Sequence, residues 1–188
     1  MRATETTLSG ALVLEPVVHA DERGFFAETY RESALAGLGI HDVFVQDNHS
    51  RSRAGVVRGM HFHIGAGVAK LVRCARGSIL DVIVDLRRGS PTYGRWEGVE
   101  LDDASLRMLY VPVGFAHGFC TLSAQADVLY KQTAYYDPAV ERGIAWDDPD
   151  VAIRWPSGLE LTVSARDAAA PRLCDVAADL PFAYRAWG

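Results

Sequence analysis

Lysine is nearly absent from this sequence. Of the 19 basic residues among 188, 17 are arginine and only Lys70 and Lys131 are lysine. Acidic residues number 24, so the formal net charge is −5, and the arginines form no basic block. This charge balance argues against nucleic acid or an anionic membrane surface as a partner. No apolar run approaches the ~20 residues of a membrane span, and the first ten residues contain no apolar signal segment.

Cysteine is also scarce. Cys74, Cys120 and Cys174 are far apart, odd in number and outside any CxxC motif. A disulfide framework or a zinc ribbon needs paired, regularly spaced cysteines, so both are disfavoured. The cysteine usage favours a reducing compartment, and we expect a cytoplasmic protein with cysteines that act as small buried hydrophobic residues.

Helical patterns are rare and short apolar runs recur. The composition, 49% hydrophobic and 23% charged, is typical of a globular protein, and the length predicts one domain over residues 1–188. Short runs about ten residues apart, with turn residues between them, predict an all-β sandwich or barrel. The predicted strands are Leu12–His19, Phe25–Tyr30, Val43–Asn48, Val56–His63, Lys70–Ala75, Ser78–Leu86, Trp96–Leu101, Arg107–Val111, Gly118–Leu122, Asp127–Ala134 and Val151–Trp155, with one short helix at Glu32–Leu38.

Two histidines stand in alternate positions of one predicted strand. His61 and His63 share a face of that strand, because successive side chains of a strand point to opposite sides. Strict alternation places Arg58 on the other face. Gly59, between Arg58 and His61, could provide a β-bulge that brings both side chains to the same side.

A third histidine follows a Pro/Gly turn in the segment Pro112-Val113-Gly114-Phe115-Ala116-His117. The HxH pair and this later PxGxxH segment together resemble the two motifs of the cupin superfamily. The resemblance implies a cupin-type double-stranded β-helix, or jelly roll, with a few short helices. Three imidazoles in one barrel could bind Zn, Fe or Mn, so a metal-dependent cupin stays open. Lys70 argues against it, because a cation beside the histidines repels a metal ion.

Two further polar clusters are less specific on their own. Tyr130, Gln132 and Tyr136 share one strand face, which is also typical of half-buried packing. The segment Asp21–Glu28 is typical of a turn with a solvated charged rim.

Taken in order along the chain, the clusters resemble one family, the dTDP-4-dehydrorhamnose 3,5-epimerases of deoxysugar biosynthesis. The matching motifs cover nearly the whole chain without large gaps: Arg23-Gly24-Phe25-Phe26, Gln46-Asp47-Asn48, Val57-Arg58-Gly59-Met60-His61-Phe62, Ala69-Lys70-Leu71-Val72, Asp81-Val82, Gly89-Ser90-Pro91-Thr92-Tyr93-Gly94, Gly114-Phe115-Ala116-His117-Gly118-Phe119, Tyr130 with Tyr135-Tyr136, and Ser164-Ala165-Arg166-Asp167.

The resemblance implies an isomerase that inverts C3 and C5 of a dTDP-4-keto-6-deoxyhexose without a metal or cofactor. It implies His61 as the base, Asp167 as the carboxylate that orients it, and Tyr130 as the acid. It further implies that Lys70 stabilises the enolate and that His117 contacts the sugar. A histidine suits the base because its unperturbed pKa is about 6.5.

The resemblance also implies which residues bind the nucleotide. Arginine forks suit a diphosphate, and the motifs assign this role to Arg23, Arg58 and Arg166. Tyr136 corresponds to an aromatic residue that stacks on thymine, and the remaining substrate contacts implied are Phe26, Glu28, Gln46, Asp47, Asn48 and Glu141. In the family, strands are exchanged between subunits, so we expect a homodimer in which Arg23 and Glu28 can serve the partner's site.

The sequence leaves the exact reaction open. Relatives in antibiotic sugar pathways invert only C3 or only C5, and His63 departs from the family pattern beside the base. A monoepimerase is therefore compatible with the motifs. A metal-dependent cupin enzyme is also compatible with the motifs, as is a cupin that binds nucleotide sugars without catalysis.

Overall fold

The computed structural model describes residues 1–185, so the last three residues of the expected domain, 186–188, lie outside the described part. Within residues 1–185, thirteen strands carry most of the regular structure: β1 Arg2–Glu5, β2 Leu12–Glu15, β3 Val18–Asp21, β4 Gly24–Ala27, β5 Gln46–Arg53, β6 Val57–His63, β7 Lys70–Arg76, β8 Ser78–Asp85, β9 Trp96–Asp102, β10 Met108–Val111, β11 Phe115–Thr121, β12 Gln125–Gln132 and β13 Glu141–Gly143. The helices of this part are short: α1 Glu32–Ala36, α2 Ala165–Ala168, α3 Leu173–Val176 and a 3₁₀ turn at Ala177–Asp179.

The strands form two facing antiparallel sheets and one separate hairpin. The six-stranded sheet has the order β1-β2-β10-β7-β12-β5, and the five-stranded sheet has the order β13-β6-β11-β8-β9. Within residues 1–185, the strands β3 and β4 pair with each other and with no further strand. The main core lies between the sheets, where Val72 and Val128 of the larger sheet pack with Ile83 and Phe119 of the smaller one. This is the two-sheet all-β arrangement that the sequence predicted.

Strand β8 has an apolar layer on each face. Ile79 and Ile83 point into the main core, whereas Val82 and Val84 point outward into a second cluster with Leu180 and further residues of the C-terminal segment. A strand covered on both sides has a nearly continuous hydrophobic sequence, as β8 does. On the opposite side of the molecule, α1 covers the larger sheet through Leu35.

The chain after β12 returns to the smaller sheet and closes one side of it. The strand β13 pairs with β6, with Glu141 opposite His63 and Gly143 opposite His61. Thr162 then forms a parallel bridge with Val56, just before β6 begins. This path places the short helix α2 against β6, so a residue late in the sequence can reach a strand from its first third.

Three predicted strands differ from the structure, and the first of them, Leu12–His19, is divided between β2 and β3. The strand expected at Val43–Asn48 is β5, which starts at Gln46 and runs on to Arg53. Its inward side chains are polar, so hydrophobicity did not mark it. The segment expected as Val151–Trp155 is not a strand, because Ala152 has a positive φ of 54° and the loop is held by hydrogen bonds to Asp148.

Gly59 and Gly118 face each other where β6 and β11 pair. Arg58 pairs with Phe119 and His61 pairs with His117. Between these two pairs β6 advances three residues while β11 advances two, so the register shifts by one residue. This extra residue is the β-bulge expected at Gly59. A Cβ on Gly118 would lie 2.6 Å from the Arg58 carbonyl oxygen, and one on Gly59 would lie 2.5 Å from the Gly118 Cα. The two glycines therefore allow the close approach that aligns the strands at the bulge.

We expect Gly118→Ala to lower the free energy of unfolding by about 1–3 kcal/mol, because the added methyl group overlaps backbone on β6. Denaturant unfolding measures the change. Gly37→Ala is the matched control, since a Cβ there meets nothing closer than 3.5 Å and its φ is an ordinary −64°. Equal stability of the two variants would contradict the close approach.

Candidate active site

A cavity of about 540 Å³ opens between the two sheets near β5 and β6. Its walls come from both sheets, and the segment Thr162–Asp167 covers one side. Polar side chains line it where the main core stops, so the space between the sheets is apolar in one region and polar in the next. The histidines expected to share a site, His61, His63 and His117, all line this cavity.

His61 and Asp167 form a hydrogen-bonded pair at the cavity wall. The His61 Nε2 and Asp167 Oδ1 atoms are 2.7 Å apart. The second carboxylate oxygen, Oδ2, accepts the Gly59 backbone N–H at 3.3 Å. The Asp167 N–H donates to Ser164 Oγ at 3.1 Å, and Ser164 is the N-cap of α2. The helix cap thus holds the carboxylate against β6.

The pair leaves one nitrogen of His61 available. Burial raises the pKa of Asp167, but hydrogen bonds from His61, Gly59 and Ser164 outweigh burial, so the pKa is lowered and the carboxylate stays ionised. An ionised carboxylate only accepts hydrogen bonds, so Nε2 of His61 is the donor in this pair and Nδ1 is the nitrogen left without a contact to Asp167. The side chain of His61 is 24% exposed, which leaves it accessible from the cavity.

His117 forms a second pair, with Asp81 on the neighbouring strand. The His117 Nε2 and Asp81 Oδ1 atoms are 2.8 Å apart, and Asp81 is fully buried. Burial lowers the pKa of His117, the charge of Asp81 opposes this effect, and the charge of Lys70 reinforces it. The net lowering keeps His117 neutral, with Nε2–H donating to Asp81 and Nδ1 as an acceptor.

Lys70 provides a buried ammonium group. It is the first residue of β7 and is 8% exposed. Burial lowers the pKa of Lys70 to about 8, while the charges of Glu141 and Asp81 oppose this effect. Within residues 1–185 no acceptor lies within hydrogen-bonding distance of its Nζ atom, so the group is available to a ligand in the cavity.

Tyr130 lies on the opposite wall from His61. It belongs to β12 in the six-stranded sheet, whereas His61 belongs to β6 in the five-stranded sheet. Burial raises the pKa of Tyr130, and the charge of Glu141 raises it further. The phenol therefore keeps its proton at neutral pH and can donate it.

Polar residues of β5 form another part of the wall. Gln46 Nε2 donates to Asn48 Oδ1 at 2.8 Å, and Gln46 Oε1 accepts the backbone N–H of Tyr136 at 2.8 Å. Asn48 Nδ2 and Ser50 Oγ are buried and have no hydrogen-bond partner within the described residues. Tyr136 itself is 52% exposed, so its ring is accessible at the cavity edge.

Charged residues mark the rim. Arg58 is exposed and donates from Nε to Ser52 Oγ at 3.0 Å. Arg166 pairs with Glu141 at 2.5 Å, and about half of its side chain is exposed. The bulge at Gly59 brings Arg58 to the same cavity as His61, as the sequence predicted.

Four of the predicted substrate residues lie outside this cavity. Arg23 and Phe26 stand on the β3–β4 hairpin, where Arg23 pairs with Asp21 at 2.5 Å and Phe26 is 70% exposed. Glu28 pairs with Arg31 just after the hairpin. Asp47 points to the outer face of β5 and pairs with the Lys131 Nζ atom at 2.6 Å. Contact of these four residues with substrate stays a prediction.

Sequence reasoning assigned no role to three residues that position or line the site. Asp81 orients His117, and its signal was a carboxylate that, with Asp85, alternates with isoleucine along the inward face of β8. Ser164 caps α2, and the spacing Ser164 to Asp167 is a signal for a helix start. Ser50 carried no signal, because nothing in the sequence shows that β5 extends past Asn48 on a polar cavity wall.

The described residues were also compared with the requirements of a metal site and of a membrane-spanning helix. Among residues 1–185, no group of three His, Cys, Asp or Glu side chains is arranged to hold a metal ion. In the same part of the chain, no helix has the length and apolar character needed to cross a membrane.

Comparison with known proteins finds close relatives. The sequence profile of the family described as dTDP-4-dehydrorhamnose 3,5-epimerase matches residues 5–175. The dTDP-4-dehydrorhamnose 3,5-epimerase of Salmonella typhimurium is 49% identical over 175 residues, which cover 92% of this chain and 96% of that protein.

Solved structures match as well. RmlC from Legionella pneumophila, a dTDP-6-deoxy-D-glucose-3,5-epimerase in complex with dTDP-4-keto-L-rhamnose, has a TM-score of 0.94 and 45% identity, covering 98% of this chain and 99% of that chain. ChmJ from Streptomyces bikiniensis, a 3'-monoepimerase in complex with dTDP-quinovose, has a TM-score of 0.87 and 38% identity, covering 91% of this chain and 87% of that chain. The match to RmlC confirms the cupin-type jelly roll.

We expect His117 to remain a neutral imidazole at pH 6.5, where a free histidine is about half protonated, because burial outweighs the charge of Asp81. Nitrogen-15 NMR of the imidazole rings measures this, and His117→Asn assigns the signal by its loss. Imidazolium shifts for this ring at pH 6.5 would show instead that the charge of Asp81 dominates.

Proposed function

The chain belongs to the dTDP-4-dehydrorhamnose 3,5-epimerase family, and we propose that it epimerises a dTDP-4-keto-6-deoxyhexose at C3 and C5 in deoxysugar biosynthesis. The protons on C3 and C5 lie α to the C4 ketone and are therefore acidic enough to be removed. Epimerisation needs a base, a group that stabilises the enolate and an acid on the opposite face of the sugar.

In this proposal His61 is the base. Its Nδ1 lone pair takes the proton from carbon, and the electron pair of the broken C–H bond forms a double bond to C4 while the ketone oxygen becomes an enolate oxygen. The resulting imidazolium is stabilised by Asp167 at 2.7 Å. A positioned general base of this kind typically accelerates a reaction about 10²–10⁴-fold.

Lys70 stabilises the enolate oxygen. Its ammonium group is buried, so its interaction with a developing negative charge is much less screened than in water. His117 lies in the same cavity, where its orientation is fixed by Asp81, and we assign it a hydrogen bond to the sugar or the enolate.

The observation that carries the proposal is that His61 and Tyr130 come from facing sheets. A sugar ring between the sheets has one face toward His61 and the opposite face toward Tyr130. The Tyr130 O–H then donates its proton to the enolate carbon from the face opposite to the one that lost a proton, which inverts the centre. Each inversion leaves a proton on His61 and removes one from Tyr130, so both groups re-equilibrate with solvent before the second centre reacts.

The rim residues suit the nucleotide part of the substrate. We propose that the diphosphate is bound by Arg58 and Arg166, whose exposed guanidinium groups can form bidentate contacts with phosphate oxygens. The exposed Tyr136 ring is available to stack on thymine. Gln46, Asn48 and Glu141 complete the contacts with base and ribose.

We further propose a cytoplasmic homodimer with exchanged strands. The exposed Phe25 and Phe26 on the β3–β4 hairpin support an interface there, because large exposed aromatic residues are typical of interfaces. In such a dimer the partner would supply Arg23, Phe26 and Glu28 to the cavity.

A monoepimerase is the second candidate function. The observation in its favour is the 38% identity to ChmJ, which is described as a 3'-monoepimerase. The presence of His61, Asp167 and Tyr130 does not by itself determine how many carbon centres react.

Incubation with dTDP-4-keto-6-deoxyglucose in D₂O tests both functions. We expect deuterium at C3 and C5 of the product; incorporation at one position would identify a monoepimerase, and none would favour a binding protein.

His61→Ala is expected to abolish exchange and keep dTDP affinity, because only the base is lost. Tyr130→Phe is expected to lose epimerised product and keep some exchange. Wild-type product formation by either variant would contradict its assigned role.

The rate should fall as pH rises through about 8. The lowered pKa of Lys70 means that its ammonium is lost near pH 8 rather than near 10.5, whereas Tyr130, with a raised pKa, stays protonated there. The pH profile of kcat/KM measures this, since it reports the free enzyme. In Lys70→Arg the cation persists, and the alkaline limb should move to higher pH. An unchanged limb in that variant would exclude Lys70 as its cause.

A further inference from the structure

His63 is a buried polar residue that the proposed chemistry does not use. It lines the cavity and is only 5% exposed. Within residues 1–185 its ring makes no hydrogen bond with another residue. Its ring nitrogens are open to the cavity rather than enclosed by protein, so they are free to pair with a ligand that fills the cavity.

The position of His63 along β6 places it beside the reacting part of the substrate. It follows His61 by two residues and so shares its strand face, about 7 Å further along. Glu141 lies opposite it on β13, and the charge of Lys70 is close enough to act on its ring. His63 therefore lies on the wall that carries the base and near the cation for the enolate.

Burial is the main reason that the ring of His63 is neutral. Burial lowers the pKa of His63 and the charge of Lys70 lowers it further, against the opposing charges of Glu141 and Asp137. A neutral imidazole has one donor and one acceptor nitrogen and contributes no positive charge. It is poorly suited to a diphosphate but well suited to a hydroxyl group, which can donate or accept.

We infer that His63 hydrogen-bonds a hydroxyl group of the hexose and so selects sugars that carry that hydroxyl. The inference rests on the proposed function, since it takes the ligand to be a dTDP-4-keto-6-deoxyhexose. The hydroxyls available on that hexose are those at C2 and C3. A site that hydrogen-bonds a hydroxyl discriminates against an analogue without it, because the buried protein group is then left unpaired.

Replacement of His63 tests the contact. In His63→Leu we expect KM for dTDP-4-keto-6-deoxyglucose to rise about 10- to 100-fold while the Kd for dTDP alone stays within about twofold. His63→Gln keeps a donor and an acceptor and should recover most of the loss. His41→Leu removes an exposed imidazole outside the cavity and is the control. An unchanged KM in His63→Leu, or an equal loss of dTDP affinity, would overturn the inference.

Unreactive ligands separate this contact from catalysis. Calorimetry with dTDP-glucose, dTDP-2-deoxyglucose and dTDP-3-deoxyglucose should show the wild type losing about tenfold or more in affinity for one deoxy analogue, and His63→Leu losing this preference. If His63→Leu discriminates as strongly as the wild type, the inference fails. Absence of deuterium exchange by the wild type would instead overturn the proposed function, and the calorimetric result would still decide the role of His63.

Discussion

The buried aspartates of residues 1–185 all have hydrogen-bond partners, because a buried ion without one costs several kcal/mol. Asp167 is hydrogen-bonded to His61, and Asp81 is hydrogen-bonded to His117. Asp85 accepts hydrogen bonds from Arg87, Ser90 and Thr92. These contacts connect strands to loops that lie far away in sequence. The C-terminal segment must fold back on β6 for Asp167 to reach its histidine, so the His61–Asp167 contact links the arrangement of the site to the closure of the fold.

The jelly roll places the proposed base and the proposed acid on opposite sheets. Alternation along β6 and β11 directs His61 and His117 inward from one sheet, and alternation along β7 and β12 directs Lys70 and Tyr130 inward from the facing sheet. A flat ligand held between two walls is accessible on both faces at once. Inversion at carbon requires this access, so a two-sheet scaffold suits the reaction.

Periodicity predicted the elements that are apolar, and it failed where strands are polar. The strand β8 was recognisable because its faces contact two hydrophobic clusters. The strand β5 was displaced because Gln46, Asn48 and Ser50 face the cavity rather than the core. The apolar segment at Val151–Trp155 packs as a loop on the second cluster, so hydrophobicity there indicated burial but not strand geometry.

The sequence by itself determined the all-β class, the shared strand face of His61 and His63, and the bulge at Gly59, because each follows from local alternation and from the freedom of one glycine. Its collinear motifs also identified the family. Tertiary structure alone decided that Asp81 pairs with His117, that Ser164 holds Asp167 against β6, and that Tyr130 lies on the wall opposite His61. Asp81 and His117 are 36 positions apart in sequence, and Tyr130 and His61 lie on facing sheets. The Ser164 cap acts on the site only because α2 docks against β6. Local sequence patterns carry no information on which distant residues meet in the fold.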